Sequence, residues 1–266
     1  MKQVLFRFSL RRIAWQTALA MLTGMTLSVV GILLYADESA MEALTQARAE
    51  APALFAMLGF GGSASLTLHM ASTLYGLLLP SLLILYSTGC MARLVSGMIE
   101  SGEAAHFLAS PHPRRAFVWT LYAVLAVGLI AIVLAIMTAA MLAAAVTVMP
   151  GKLQLAGFGA MNAGLFSLAM LCAGHAAQIS CRVDVRRMAR NRVLVVQTVF
   201  LLLWVVSRGK GAQAYLAYVT PSSLFDPEGL VMLRDAALIK AAVLPAAALV
   251  LSDLGCRAFT RRDLPL

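Results

Sequence analysis

Six apolar runs, at residues 13–36, 66–91, 117–146, 153–179, 193–207 and 236–255, alternate with short polar stretches rich in arginine. About 30 Å of hydrocarbon takes roughly twenty apolar residues to cross as a helix. Only helices and closed barrels satisfy their backbone there, so the runs predict an all-α, polytopic fold with six transmembrane helices. The fifth run is short and is expected to borrow from its flanks. Together the spans form one transmembrane domain over residues 1–266, with nothing left for a soluble domain. Composition agrees: 61% of residues are apolar and 12% charged, which excludes an ordinary soluble domain.

Charge sets the expected orientation. The N-terminus, the stretch 93–115, the stretch 182–192 and the tail from Arg257 hold fifteen of the twenty-one lysines and arginines, five fall in the alternate loops, and Lys240 lies inside a span, near enough to its end to snorkel. Both termini are therefore expected in the cytoplasm of a multi-pass protein of the cell membrane, the bacterial inner or plasma membrane. The first run is too long for a signal-peptide core and lacks a small-residue cleavage site, so it is read as a retained span. Ahead of it, Gln3, Arg7 and Arg11 share one helical stripe, with Val4, Leu5, Phe8 and Trp15 set to dip into the headgroup layer as an interfacial helix.

The outer loops differ in character. The first is acidic, with Asp37, Glu38, Glu42 and Glu50 against Arg48, and Ser39-Ala-Met-Glu42 fits a capping box that would start a helix running toward Gly61-Gly62. The last, 208–235, is apolar enough to re-enter the membrane, with Pro221 and Pro227 as breakpoints. Small residues recur at Ala131, Ala135, Ala139 and Ala143 and at Gly157, Gly164 and Gly174; either stripe suits ordinary helix packing or a dimer face. Asn162, His175, Gln178 and Gln197 are polar groups within spans, candidates for a pathway or for helix-to-helix hydrogen bonds. Cys90, Cys172, Cys181 and Cys256 lack metal-site or disulfide spacing and read as buried thiols. No cluster has the makings of a catalytic or metal site.

Between the second and third runs lies an elbow, residues 100–115. A helix over about 92–107 would present Glu100, Glu103 and His106, Pro111 and Pro113 would fix a turn, and Arg114 and Arg115 would anchor at an anionic leaflet. An ordinary positive-inside loop is the plain alternative. The run Glu100-x-Gly102 followed by Leu108-x-Ser110-Pro111-x-x-Arg114 resembles the cytoplasmic loop between the second and third spans of ABC-2 type permeases, the membrane subunits of type V ABC exporters. Pro80, Pro221 and the ending Phe259-Thr-Arg-Arg-Asp263 are similar to further features of that family. Two departures, no lysine at the start of the third span and no N-terminal Lys-Glu pair, leave subfamily and substrate open.

The resemblance implies a transport subunit coupled to separate ABC ATPase subunits through residues 92–115, with Arg93, Glu100, Glu103 and His106 as contacts and Gly102, Leu108, Pro111, Arg114 and Arg115 shaping the elbow. It also implies a second permease subunit, identical or homologous. The chain itself has no G-x-x-x-x-G-K-[ST] loop, since Gly209-Lys210 lacks the strand and helix that a phosphate loop needs, so ATP and Mg are expected in the partner and no cofactor here. Lipids are the other expected partners, and nucleic acid is not. The alternatives are an ATP-independent secondary transporter, which would need a midplane ion site, and a membrane scaffold or sensor whose basic loops recruit partners.

Overall fold

The structure, a computed structural model, describes residues 2–58, 65–109, 113–147, 153–209 and 212–262. Among these the chain is all-helical, and six helices are long and apolar enough to cross a membrane: Gln3–Ala36, Leu66–Glu100, Arg114–Thr147, Leu155–Ser180, Arg186–Ser207 and Asp235–Thr260. Each prolongs its apolar run with polar turns, because a helix need not stop where its hydrophobic stripe does. The fifth borrows seven residues from its arginine-rich N-terminal flank.

Helix α1, Lys2–Ala36, is unbroken, so the residues expected to form a separate interfacial helix are its opening turns. Val4, Phe8 and Trp15 are exposed there, whereas Leu5 is buried against the bundle rather than turned to headgroups. Beyond α1, Asp37 rather than Ser39 caps α2, Glu38–Glu50, accepting from the backbone N–H groups of Ser39 and Ala40. The aspartate sits where the first helix ends, so it captures the free N–H groups before a Ser39 box can form. Pro52 then starts a separate helix, α3, Pro52–Leu58, and the expected Gly61-Gly62 break lies outside the described residues.

The second span is composite. Helix α4, Leu66–Thr73, passes through a π-turn, Leu74–Leu78, into α5, Leu79–Leu94, and a kink at Val95 leads into α6, Ser96–Glu100. Pro80 explains the π-turn: it has no N–H to give the Gly76 carbonyl, so the ladder shifts to Leu79 N–H on the Leu74 carbonyl. The stranded Gly76 oxygen is met by the Arg208 guanidinium, at 3.0 Å, whose carbon lies 4.1 Å from the centre of the Trp204 ring.

Helix α7, Glu103–Leu108, precedes α8, Arg114–Thr147; α9, Leu155–Ser180, and α10, Arg186–Ser207, follow. Two 3-10 segments, Ala212–Tyr218 and Pro221–Leu224, and α11, Pro227–Val231, lead to α12, Asp235–Thr260. Pro221 and Pro227 are breakpoints as expected, each opening a new short helix where a missing N–H costs nothing.

Helix α9 is central, packed against α5, α8, α10, α11 and α12. Its glycines are spent inside the chain: a Cβ on Gly157 would overlap the Val231 carbonyl oxygen, one on Gly164 would overlap Leu230, and one on Gly174 would lie 2.6 Å from the Ala248 carbonyl oxygen. Gly255 returns the favour from α12, its Cβ position lying 2.7 Å from the Gln178 Cα. Of the alanine stripe, Ala135 and Ala139 are buried and Ala131 and Ala143 half-buried. All four cysteines are buried free thiols, and burial pushes Cys181 above its usual range, with Cys256 nearby adding to the rise.

Candidate functional site

The elbow sits at one end of the bundle, which also gathers the start of α1, the starts of α8 and α10, and the end of α12. The expected single helix over 92–107 is divided. Gly102 adopts φ 73° between α6 and α7, a left-handed turn that glycine makes without the Cβ penalty. Ser96, Gly97, Met98 and Ile99 of α6 are buried, while Ser101, Gly102 and His106 are exposed, so the elbow's free surface is the turn and one side of α7. Ser110 to His112 lie outside the described residues, and with them Pro111.

The acids are tied within the chain. Glu103 pairs with Arg12 of α1, and Glu100 accepts from the backbone N–H of Arg186 at the first turn of α10, at 2.8 Å. A carboxylate at a helix N-terminus completes a free N–H and suits the helix dipole. Arg93 and Arg186 both lie near enough to Arg12 to repel it, and the Arg186 stem passes over Gly97. Two carboxylates thus sit among three guanidiniums. Aromatic contacts add a second fastening: Phe107 lies 5.8 Å from Phe8 and 6.5 Å from Phe117, which stacks on Phe259 at 5.8 Å, all between ring centres. Leu108 is half-buried against the same core.

Arg114 and Arg115 also face protein rather than only a leaflet. Arg114 donates to the Arg262 carbonyl at 2.9 Å, Arg115 pairs with Asp253, which Arg257 meets from the other side at 2.6 Å, and Arg262 pairs with Asp184. Arg12, Arg186 and Asp253 were not singled out from the sequence, and Arg262 was named only within the ending Phe259-Thr-Arg-Arg-Asp263. Asp253 and Arg257 had a local signal in their i, i+4 spacing; the partnership of Arg12 with Glu103, ninety-one residues apart, had none.

The polar span residues divide into two groups. Asn162 accepts from the Tyr75 hydroxyl at 2.8 Å and donates to the Phe158 carbonyl at 2.8 Å, a buried link from α9 to the π-turn. Gln178 presents its backbone to Gly255. Gln197 and His175, by contrast, come together in a cleft of about 530 Å³. Helices α10 and α12 each pack on α9 but scarcely touch one another, which leaves a gap between them. Leu168, Leu171, Cys172 and His175 floor it, Phe200 and Val250 stand at its sides, and Pro221 and Ser222 close one end. The Thr220 hydroxyl pins that end by donating to the Phe200 carbonyl at 2.9 Å, two turns short of the end of α10.

Models of known protein families give no match to this chain, and no curated protein matches it.

Proposed function

We propose that this chain is the transmembrane permease subunit of an ATP-driven exporter of the ABC-2 type, moved by separate ATPase subunits that press on the elbow. The observation that carries this reading is the double attachment of the elbow: Glu103 fastens it to α1 and Glu100 to the start of α10. A push on the exposed turn at Gly102 and His106 would move two spans together rather than being absorbed by a loose loop. Phe107 extends the same attachment to α8 through Phe117. In this reading the elbow end is cytoplasmic, consistent with its excess of arginine. Glu100 and Glu103 act as fasteners within the chain, which leaves His106 and the Gly102 turn as contacts for the ATPase.

The segment ending at Pro221–Leu224 serves as the re-entrant outer piece, and the opening turns of α1 extend from the membrane span into the elbow end. ATP binding in the partners would draw the elbows of two permease subunits together and shift access to the pathway, and product release would reset it.

The test is ATP hydrolysis by the purified complex of this chain with its ATPase subunits. His106→Ala and Gly102→Val should each lower hydrolysis about tenfold or more while leaving assembly of this chain intact. Unchanged hydrolysis with both variants, or a His106→Cys thiol that reacts only with reagents on the outer side, overturns the reading.

A further inference from the structure

We infer that the cleft between α10 and α12 is a binding site for an uncharged amphiphile, an apolar chain or ring system carrying a hydroxyl, that enters sideways from the bilayer. As a substrate site it rests on the permease reading; as a binding site it stands alone.

The argument begins with the walls. Among the described residues no charged side chain lines the cleft, and its surface is almost wholly apolar. A charged headgroup would find no counter-charge there, and burying one in such a place is costly. The volume of about 530 Å³ falls within the range that holds a small organic molecule. Entry is from the side: Val250, at the rim, is 60% exposed, and Val199, Leu202 and Leu249 beside it also face outward on helices suited to lipid contact.

The polar groups then select within the apolar class. The Gln197 amide is already used, accepting from the Thr88 hydroxyl at 2.8 Å and donating to the Cys172 carbonyl at 2.8 Å. His175 differs: its ring lines the cleft and makes no hydrogen bond among the described residues, and since Nδ1 is shut away by burial, Nε2 is the nitrogen left to meet a ligand. An imidazole nitrogen donates or accepts according to its tautomer, and a hydroxyl can answer either. The cleft therefore offers an imidazole edge able to make a further hydrogen bond at its floor, with the Ser222 hydroxyl at its closed end, in an otherwise greasy slot. Leu168 and His175 are seven residues apart on α9, about 10 Å along its axis. That length accommodates an apolar body with its hydroxyl at the His175 end.

The experiment uses the full chain, without ATPase, in phosphatidylcholine nanodiscs. Photoreactive dodecyl probes ending in a hydroxyl, a carboxylate or a methyl group are compared by mapping the labelled peptides. The hydroxyl probe should label peptides containing Leu171, His175 and Phe200 about fivefold more than the methyl probe, the effect of one neutral hydrogen bond, and the carboxylate probe should show no such gain. His175→Leu should erase the hydroxyl preference, while Val250→Trp, on the exposed rim where folding is not at stake, should block all three probes. Equal labelling by the three, labelling that survives Val250→Trp, or a preference for the carboxylate overturns the inference. Since no ATPase is present, such a failure leaves the hydrolysis test of the elbow untouched.

Discussion

The two ends of the bundle are held together differently. At the elbow end the described carboxylates reach across to other elements: Glu103 to α1, Glu100 to α10, Asp253 to α8, and Asp184 to Arg262 beyond α12. At the opposite end most capping side chains serve their own segments, with Asp37 on α2, Ser65 on α4 and Asp226 on α11, while Thr220 caps its 3-10 turn and also donates to the Phe200 carbonyl of α10. The partly buried pair of Glu103 with Arg12 is worth only about 1 kcal/mol, so the difference lies less in total stability than in how displacement spreads. The elbow end is wired to move as a unit. The opposite end is assembled from capped pieces joined by single hydrogen bonds, Thr220 to α10 and Arg208 to the π-turn among them, and these pieces are expected to open more independently.

The largest expected effect tests the second half of that comparison. Gly157→Ala places a methyl on the Val231 carbonyl, backbone that cannot swing aside as a side chain would. Overpacking of this kind costs about 1–3 kcal/mol. The expected outcome is a lower thermal midpoint in detergent, with faster hydrogen exchange in α11 and the 3-10 segments and unchanged exchange in α7. Faster exchange in α7 as well would break the comparison, since it would mean that the ends open together.

Glu103→Gln tests the first half. Removing the carboxylate leaves Arg12 facing Arg93 and Arg186 with its ion-pair partner gone, at an expected cost of about 1 kcal/mol. Exchange should rise both in α7 and in the first turns of α1, and a double-mutant cycle with Arg12→Gln should return a coupling energy of about 0.5–1 kcal/mol. A rise confined to α7 would mean that the elbow hangs free.

This contrast was only partly legible in the sequence. Six spans follow from apolar runs, a signal carried by every residue of a run and robust to errors at any one of them. Gly102 and Pro80 carry local backbone signals for a turn and an irregularity, yet the helix expected over 92–107 runs through the glycine, because the apolar and charged pattern on either side of it is helical. The partners of Glu100 and Glu103 could not be read, because Arg12 and Arg186 meet them only through tertiary folding, and each is one arginine among many at the same end. For the same reason Gln197 and His175 looked alike in sequence, although one is saturated by Thr88 and Cys172 and the other retains an unmet nitrogen. The prolines of the last loop were legible because their chemistry is local: Pro221 and Pro227 mark breaks, each beginning a new short helix whose first turn has no use for the missing N–H.

The two left-handed turns offer a finer comparison. Gly102 at the elbow has φ 73°, and Leu233, between α11 and α12, has φ 51° with a Cβ that L-residues seldom carry there. No neighbouring atom lies within 4 Å of a Cβ built on Gly102, so Gly102→Ala isolates the backbone penalty, about 1 kcal/mol. Leu233→Gly should run the other way, raising stability by about 0.5 kcal/mol once the extra chain entropy of glycine is subtracted, since the leucine is 45% exposed and loses little burial. Thermal midpoints of the two variants should therefore shift in opposite directions. Destabilisation by Leu233→Gly would mean that the opposite end relies on that side chain for more than its cap.

The smallest expected effect is a pH dependence confined to the opposite end. The Ser39 hydroxyl, and after it the backbone N–H groups of Ala40 and Ser39, hold the Asp37 carboxyl below the usual carboxylate range. A folded value depressed below the unfolded one means that the cap contributes fully above about pH 4 and is lost as pH falls through the depressed value. Amide exchange in α2, corrected for its intrinsic pH dependence, should be flat from neutral pH to about pH 5 and should rise on further acidification. Asp37→Asn retains an acceptor for the cap and should abolish that rise, whereas Asp37→Ala should fray the first turn of α2 at every pH. Because Asp37 caps only its own helix, neither variant should alter exchange in α7 or in the opening turns of α1. A response at the elbow to a change of cap at the far end would show that α1 transmits along its length what the local capping pattern would confine to α2.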